Sequence, residues 1–239
     1  MRRVVPLFLL AVLVAGCGNA KTVTVTTTQT VTSAEATGTI TTRPPPKTTV
    51  RAYLLRDGKV APVARSIYRG WPLTAALTGG PTHEERQFGF TTAVPDTWDA
   101  NKLPRQGLAQ LTYTLTQFDP SRPLHVLGRT WDRKDYEGLT PAILVESPLP
   151  FQAVSAPLRV TGTANTFEAT FEYELLDPVG KVLSHNFVTA TSGSGTRGTF
   201  DFTIPFEAPN GLGKLVVYES SAADGSRIHV VEIPLTLAR

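Results

Sequence analysis

From Phe167 to Leu175 the chain alternates without a break between apolar and polar side chains. Phe167, Ala169, Phe171, Tyr173 and Leu175 fall on one side, and Glu168, Thr170, Glu172 and Glu174 on the other. A period of two is the pattern of a strand with one face buried and one in water. Similar short runs recur around it: Ile143-Leu144-Val145, Leu158 to Thr161, Val182 to Val188, Phe200 to Phe206, Leu215 to Tyr218 and Ile228 to Leu237. Turn residues separate them at Asp177-Pro178-Val179-Gly180, Ser192 to Gly198, Pro209-Asn210-Gly211 and Asp224-Gly225. Closely spaced strands with no helical period predict a sandwich of antiparallel sheets over 142–239. The stretch has no tryptophan and no cysteine pair, so the disulfide-and-tryptophan core of antibody domains is excluded.

The preceding 50–141 reads differently. Val50 to Leu55 and Val60 to Ala64 are strands joined by Asp57-Gly58, the strongest short hairpin turn. Pro72 to Leu77 is a short helix opened by proline and stopped by Gly79-Gly80. Thr82 and Glu85 have capping-box spacing, and Phe88 to Val94 is extended. After Pro104, Leu108, Leu111, Leu115 and Phe118 share one face of a helix, with Gln110, Thr112 and Thr114 elsewhere on its surface. Pro123 to Gly128 reads as a strand and Asp132 to Glu137 as a last short helix. Helices on one side of a small sheet give an α+β domain.

The N-terminus has a separate logic. Arg2 and Arg3 precede an apolar run, Val4 to Val14, which is too short for the ~20 residues of a spanning helix and suits a secretory signal. Its end, Leu13-Val14-Ala15-Gly16-Cys17, resembles a bacterial lipoprotein signal. That resemblance implies lipid on the sulfur of Cys17 and removal of 1–16; an ordinary signal peptide that happens to hold a cysteine is the other reading. Cys17 is the only cysteine, so no internal disulfide can form, and lipidation would account for a lone exported thiol. From 17 to 49 the chain is rich in threonine and ends in Arg43-Pro44-Pro45-Pro46-Lys47. It predicts a disordered tether, though its Thr/Val alternation also suits an isolated ribbon. Its ends would lie roughly 30 Å apart as a coil and roughly 110 Å apart when straight. The formal charge of +3 comes from 23 basic and 20 acidic residues; loss of Arg2 and Arg3 leaves 21 against 20, which argues against nucleic acid as a partner.

Two family resemblances bear on the folded part. Pro72 to Thr82, Thr92-Ala93-Val94-Pro95 and, more specifically, Gln110-Leu111-Thr112-Tyr113-Thr114-Leu115-Thr116-Gln117-Phe118 resemble the GerMN domain of sporulation and spore germination. Leu144 to Pro148 with Val160 to Ala164 resemble the immunoglobulin-like domain of bacterial spore germination proteins, which commonly follows GerMN. The first resemblance has a gap: family members place two strands between the Ala-Val-Pro turn and the helix, where this chain has only Asp96 to Pro104. A shortened sheet implies an open edge. The second domain follows with almost no linker, so the two are expected to pack as one body through Trp98, Trp131 or Tyr136.

No catalytic constellation emerges. His83, His125, His185 and His229 are scattered, and His83-Glu84-Glu85-Arg86 lacks the second histidine of a zinc-protease helix. Gly193-Ser194-Gly195 lacks the nucleophile-elbow spacing, and Gly211-Leu212-Gly213-Lys214 lacks the hydroxyl residue of a phosphate loop. Glu168, Glu172 and Glu174 suit a solvated face better than a cation site, and Asp132 with Asp135 suit capping better than acid–base work. The expectation is a non-enzymatic protein, with no metal, cofactor or small-molecule substrate, lipid-anchored on the extracytoplasmic face of the membrane. It would act through contacts with envelope proteins or cell wall, in sporulation, germination or envelope assembly. The alternative is a peptidoglycan- or carbohydrate-binding accessory module using Trp71, Trp98 and Trp131; Trp98, Trp131 and Tyr136 are the candidate contact residues.

Overall fold

Asp57 and Gly58 both take positive φ, 51° and 74°, as the tightest hairpin turn requires. They join β1 (Lys47–Arg56) to β2 (Lys59–Tyr68), in a register running from Arg56↔Lys59 to Lys47↔Tyr68. The computed structural model describes residues 44–126, 128–207 and 210–238; the expected signal, Cys17 and all but the end of the tether lie outside them. That end, Lys47 to Thr49, already belongs to β1. No helix among the described residues is long and apolar enough to cross a membrane.

A two-residue β3 (Phe90–Thr91) completes a sheet of order β2-β1-β3, so most of the extended run expected from Phe88 to Val94 is loop. Pro72 leads into a 3-10 turn, Leu73–Leu77, and α1 (His83–Gln87) opens with the capping box of Thr82 and Glu85. Next come α2 (Arg105–Leu115) and a hairpin of β4 (Leu124–Val126) and β5 (Arg129–Trp131), where a single strand is expected from sequence. Asp132 and Asp135 form a second capping box, on the 3-10 stretch Arg133–Leu139.

Helix α2 overturns its own apolar periodicity. Gln110, Thr112 and Thr114, expected at the surface, are fully buried, whereas Phe118 is 74% exposed. The reason is the neighbouring strand. Beyond β3 contact at Leu55 and Arg56, the side of β1 away from β2 has no strand to bond among the described residues. The helix supplies the missing partners through side chains one and two turns apart. Gln117 Oε1 accepts from Arg51 N (2.8 Å) and its Nε2 donates to Arg51 O (3.0 Å). Thr114 Oγ1 accepts from Tyr53 N (3.0 Å), and Gln110 Nε2 donates to Tyr53 O (3.0 Å). Buried backbone groups must be paired, and here glutamine and threonine take the place of a strand.

The remainder is the sandwich. β6 (Ile143–Ser147), β8 (Leu158–Ala164) and β11 (Gly198–Ile204) form one sheet, ordered β11-β8-β6. β7 (Ala153–Ser155), β9 (Thr170–Leu176), β10 (Val182–Thr189), β12 (Gly211–Ser220) and β13 (Arg227–Ala238) form the other, ordered β10-β9-β12-β13-β7. The antiparallel expectation holds except at β7, a short strand unmarked by alternation that runs parallel to β13. The alternation that begins at Phe167 also misleads at its start. Phe167–Ala169 is a 3-10 turn with positive φ at Glu168 and Ala169, so Phe167 is exposed and Glu168 leaves the face of Glu172 and Glu174. From Phe171 onward the pattern is kept: Phe171, Tyr173 and Leu175 enter a core with Phe200, Ile204, Leu215 and Val217. Gly162 explains itself, because a Cβ there would lie 2.1 Å from Leu144 O and 2.6 Å from the Phe200 ring.

β6 serves both halves. Ile143 and Val145 point into the sandwich core, and Leu144 into the core of Tyr53, Leu111 and Tyr113. Glu146 accepts from the Tyr53 hydroxyl and from Arg133 Nη1 (2.9 Å). Arg133 also donates to Thr116 Oγ1 (2.8 Å) and Tyr113 O (3.2 Å) and lies over the Tyr113 ring, 4.4 Å from its centroid. Burial, with the Glu146 charge behind it, holds the Tyr53 phenol far above its ordinary range, so it remains a donor. Around this centre Arg197 meets Glu137 (2.8 Å), Arg56 donates to Glu232 O (2.6 Å), and Phe88 sets its edge on Phe151. Pro46–Arg239 is accordingly one compact unit.

Candidate functional site

A sheet edge exposes a row of unpaired backbone groups, and folded proteins protect such edges with charge, proline, brevity or a cover. Most edges here are protected in one of those ways. β1 is closed by α2, and β3 and β7 are very short. β2 carries Pro62 mid-strand, and the Arg65 guanidinium bonds Ala64 O (2.9 Å). β6 runs beside β2 and β13. β11 gives its Thr199 amide to Thr191 Oγ1 (2.8 Å) and bears the Asp201–Arg159 ion pair (2.5 Å).

β10 differs. Its residues, Val182-Leu183-Ser184-His185-Asn186-Phe187-Val188-Thr189, include no proline, lysine, arginine or carboxylate. It pairs with β9 on one side and ends the five-stranded sheet on the other, where β11 approaches only its C-terminal end, through Thr191 N to Thr199 O (2.9 Å). Phe187 is 68% exposed and Val182 45%. The Phe187 amide is held by its neighbour's side chain, Asn186 Oδ1 (2.9 Å), rather than by a strand.

Beside this edge the outward face of the sheet carries a polar cluster. Registers Glu174↔His185, Glu172↔Phe187, Tyr218↔Glu172 and Ser220↔Arg227 bring its members together from β9, β10, β12 and β13. Glu172 accepts from Ser220 Oγ (2.5 Å), contacts His185 Nε2 (2.8 Å) and accepts from Tyr218 Oη (3.2 Å). Arg227 binds Glu174 and caps the Tyr218 ring at 4.1 Å. The bonds from Ser220 and His185 hold the Glu172 carboxyl below its ordinary range. Burial, followed by the charges of Glu172 and Glu174, pushes the Tyr218 phenol up to about 12. Both shifts favour the charged carboxylate and the neutral phenol.

Strand order, a parallel β7 on β13 and cores facing inward from both sheets describe an immunoglobulin-like sandwich. Residues 142–226 match the immunoglobulin-like domain of bacterial spore germination. The matched stretch runs from the start of β6 to the end of the β12–β13 turn, and β13 completes the sheet of this immunoglobulin-like domain. The edge strand β10 and most of the polar cluster lie within it. No curated protein matches the chain.

The residues singled out from sequence lie elsewhere. Trp131 and Tyr136 are buried in the first-half core, 7% and 4% exposed, and Trp98 is half-buried against it. Leu144 of β6 joins that same core, and Phe88 with Phe151 makes a ring contact between the halves. Trp71 is exposed, 55%. Cys17 lies outside the described residues. His185 and His229 each face one carboxylate, Glu172 and Glu219, and no group of three metal-ligating side chains occurs among the described residues. The β10 edge was missed because period-two reading gives a strand its faces and not its neighbours. The absence of charge along Val182 to Thr189 was the available sign.

Proposed function

We propose that this is a non-enzymatic, lipid-anchored extracytoplasmic protein that binds envelope partners through the β10 edge and adjoining outward face. Its process is spore germination, sporulation or envelope assembly. The observation that carries the reading is an eight-residue edge strand that bears no proline, lysine, arginine or carboxylate and exposes Phe187. Such edges accept an added strand from a partner, with backbone bonds giving affinity and side chains such as Phe187 giving selection. The similarity of 142–226 to a germination domain supports the process, and the Val-Ala-Gly-Cys ending at Cys17 supports the anchor.

We read the first half as a shortened GerMN-like domain. Its most specific motif, Gln110 to Phe118, supports this, and within it Gln110, Thr114 and Gln117 close the edge of β1. The peptidoglycan- or carbohydrate-binding alternative needs accessible rings, and Trp98 and Trp71 are the tryptophans with exposed area to offer.

Two experiments test this reading. Cys17→Ser should move the processed protein from the membrane fraction to the soluble one, since without acyl chains no stable anchoring remains; retention refutes the anchor. Affinity purification of detergent-solubilised wild type should recover proteins that Phe187→Lys, a charge placed on the edge, no longer recovers. Saturable binding to purified cell wall that survives Phe187→Lys and is lost on Trp98→Ala would favour the carbohydrate alternative.

A further inference from the structure

The corner where the chain enters its folded unit gathers two cations and two aromatic rings. Arg69 N donates to Pro46 O (2.8 Å), which fastens the entering chain beside the end of β2. Lys47 and Tyr68 are register partners, and the Lys47 ammonium stands 5.2 Å from the Tyr68 ring centroid. Tyr68 in turn packs on Trp71, with centroids 5.0 Å apart. Lys47, Arg69 and Trp71 are all exposed, and neither cation has an ion-pair partner among the described residues. Gln117 of α2 lies against Arg51 while Gln110 lies against Tyr53, so the helix runs toward the start of β1 and leaves the exposed Phe118 near that same end.

We infer that this corner, Lys47, Tyr68, Arg69 and Trp71, docks on the anionic headgroup region of the membrane that holds the protein's lipid. The inference rests on the lipid-anchor reading for its setting. Three observations choose the bilayer as occupant. Amphipathic tryptophan and tyrosine favour the boundary between headgroups and acyl chains. Two unpaired cations beside them match a negative surface, to which lysine and arginine close to the membrane are drawn. The chain from Cys17 enters the folded unit at Pro46, beside this corner. A tether of this length also sets an effective concentration near the millimolar range, so weak affinity suffices to keep the corner down. Docked this way, the protein has a fixed orientation rather than a free swing on its tether.

The test uses the full lipidated chain in vesicles of phosphatidylglycerol and phosphatidylethanolamine carrying brominated acyl chains, which quench tryptophan on contact. Trp98 and Trp131 supply a constant background, so the Trp71 signal is the difference between wild type and Trp71→Phe. The expected result is strong quenching of that difference signal. It should fall at least threefold in Lys47→Glu/Arg69→Glu, a pair of exposed positions, with a wild-type circular dichroism spectrum required as the control for folding. Cys17→Ser protein mixed with the same vesicles at millimolar lipid should show weaker quenching of the same signal, which separates the corner from the anchor. Equal quenching in wild type and Trp71→Phe, or no response to the charge reversal, overturns the inference even where the lipidated protein still floats with the vesicles. Binding to soluble polyphosphate without vesicle quenching overturns it in favour of an anionic wall polymer.

Discussion

Gln110→Leu sets the arrangement of α2 against the apolar periodicity of its own sequence. The side chain is fully buried and makes two good bonds that leucine cannot: Nε2 to Tyr53 O (3.0 Å) and Ala93 N to Oε1 (2.7 Å). Leucine has similar volume, so no large cavity opens, and the cost is that of unpaired polar groups. Tyr53 is itself fully buried and Ala93 half-buried, so little water can replace the lost partner. At about 1–3 kcal/mol for each stranded group, the sum is about 3–4 kcal/mol after allowance for the more exposed amide. For a unit of this size that lowers the melting temperature by about 6–15 °C. Phe118→Ser is the matched comparison. Its ring is 74% exposed, and the change should stay within about 0.5 kcal/mol of wild type. Urea titration followed by circular dichroism, with unchanged m, gives both numbers. The apolar-stripe reading predicts the reverse order. If Phe118→Ser costs more than Gln110→Leu, the account of α2 as a substitute strand is refuted.

Other consequences follow from single contacts. Gly162→Ala should destabilise by at least about 2 kcal/mol in the same titration, because its Cβ would strike the carbonyl of Leu144 and the Phe200 ring at once; a neutral result would mean that β6 and β8 separate easily. Glu146→Ala should cost about 3–5 kcal/mol by leaving Arg133 buried and unpaired, and Arg133→Met with Glu146→Leu should recover most of it. An additive double mutant would refute the coupling. For Glu85 and Glu137, burial raises the carboxyl pKa, but bonds from Arg65, and from Arg197 and Asn165, outweigh it and hold both below the ordinary range. A lowered folded-state pKa gives stability that is complete above the unfolded value of about 4.3 and lost as pH falls through the folded one. Stability should therefore drop on acidification below about pH 5, and less steeply in Glu85→Gln; identical slopes would refute the assignment.

The alternation of Phe171, Tyr173 and Leu175 was legible because a sandwich core repeats the same demand at every second residue. Its start was not, since Phe167 looks apolar in sequence while the positive φ of Glu168 and Ala169 turns the chain out of the sheet. The Asp57-Gly58 hairpin and the Thr82–Glu85 and Asp132–Asp135 boxes were legible because each is local chemistry. The burial of Gln110, Thr114 and Gln117 was hidden because it answers a distant vacancy on β1, which no pattern within α2 encodes. For the same reason, the buried centre of Tyr53, Arg133 and Glu146 joins residues far apart in the chain and could not be assembled from spacing. The outward cluster of Glu172, Glu174, His185, Tyr218 and Arg227 was half visible: two of its acids lie on the alternating strand, and its phenol and cation come from other strands.

The claim that β10 is the working edge is tested most directly in living cells, with a photo-crosslinking amino acid replacing Phe187 in one strain and Leu212 in another. Both positions are well exposed, 68% and 75%, and Leu212 lies on β12, away from the open edge. The account predicts discrete crosslinked products at position 187, lost when Thr189 is also changed to Pro, and none of matching mass at position 212. Equal products at both positions, or none at 187 with the protein present at wild-type level, would contradict it.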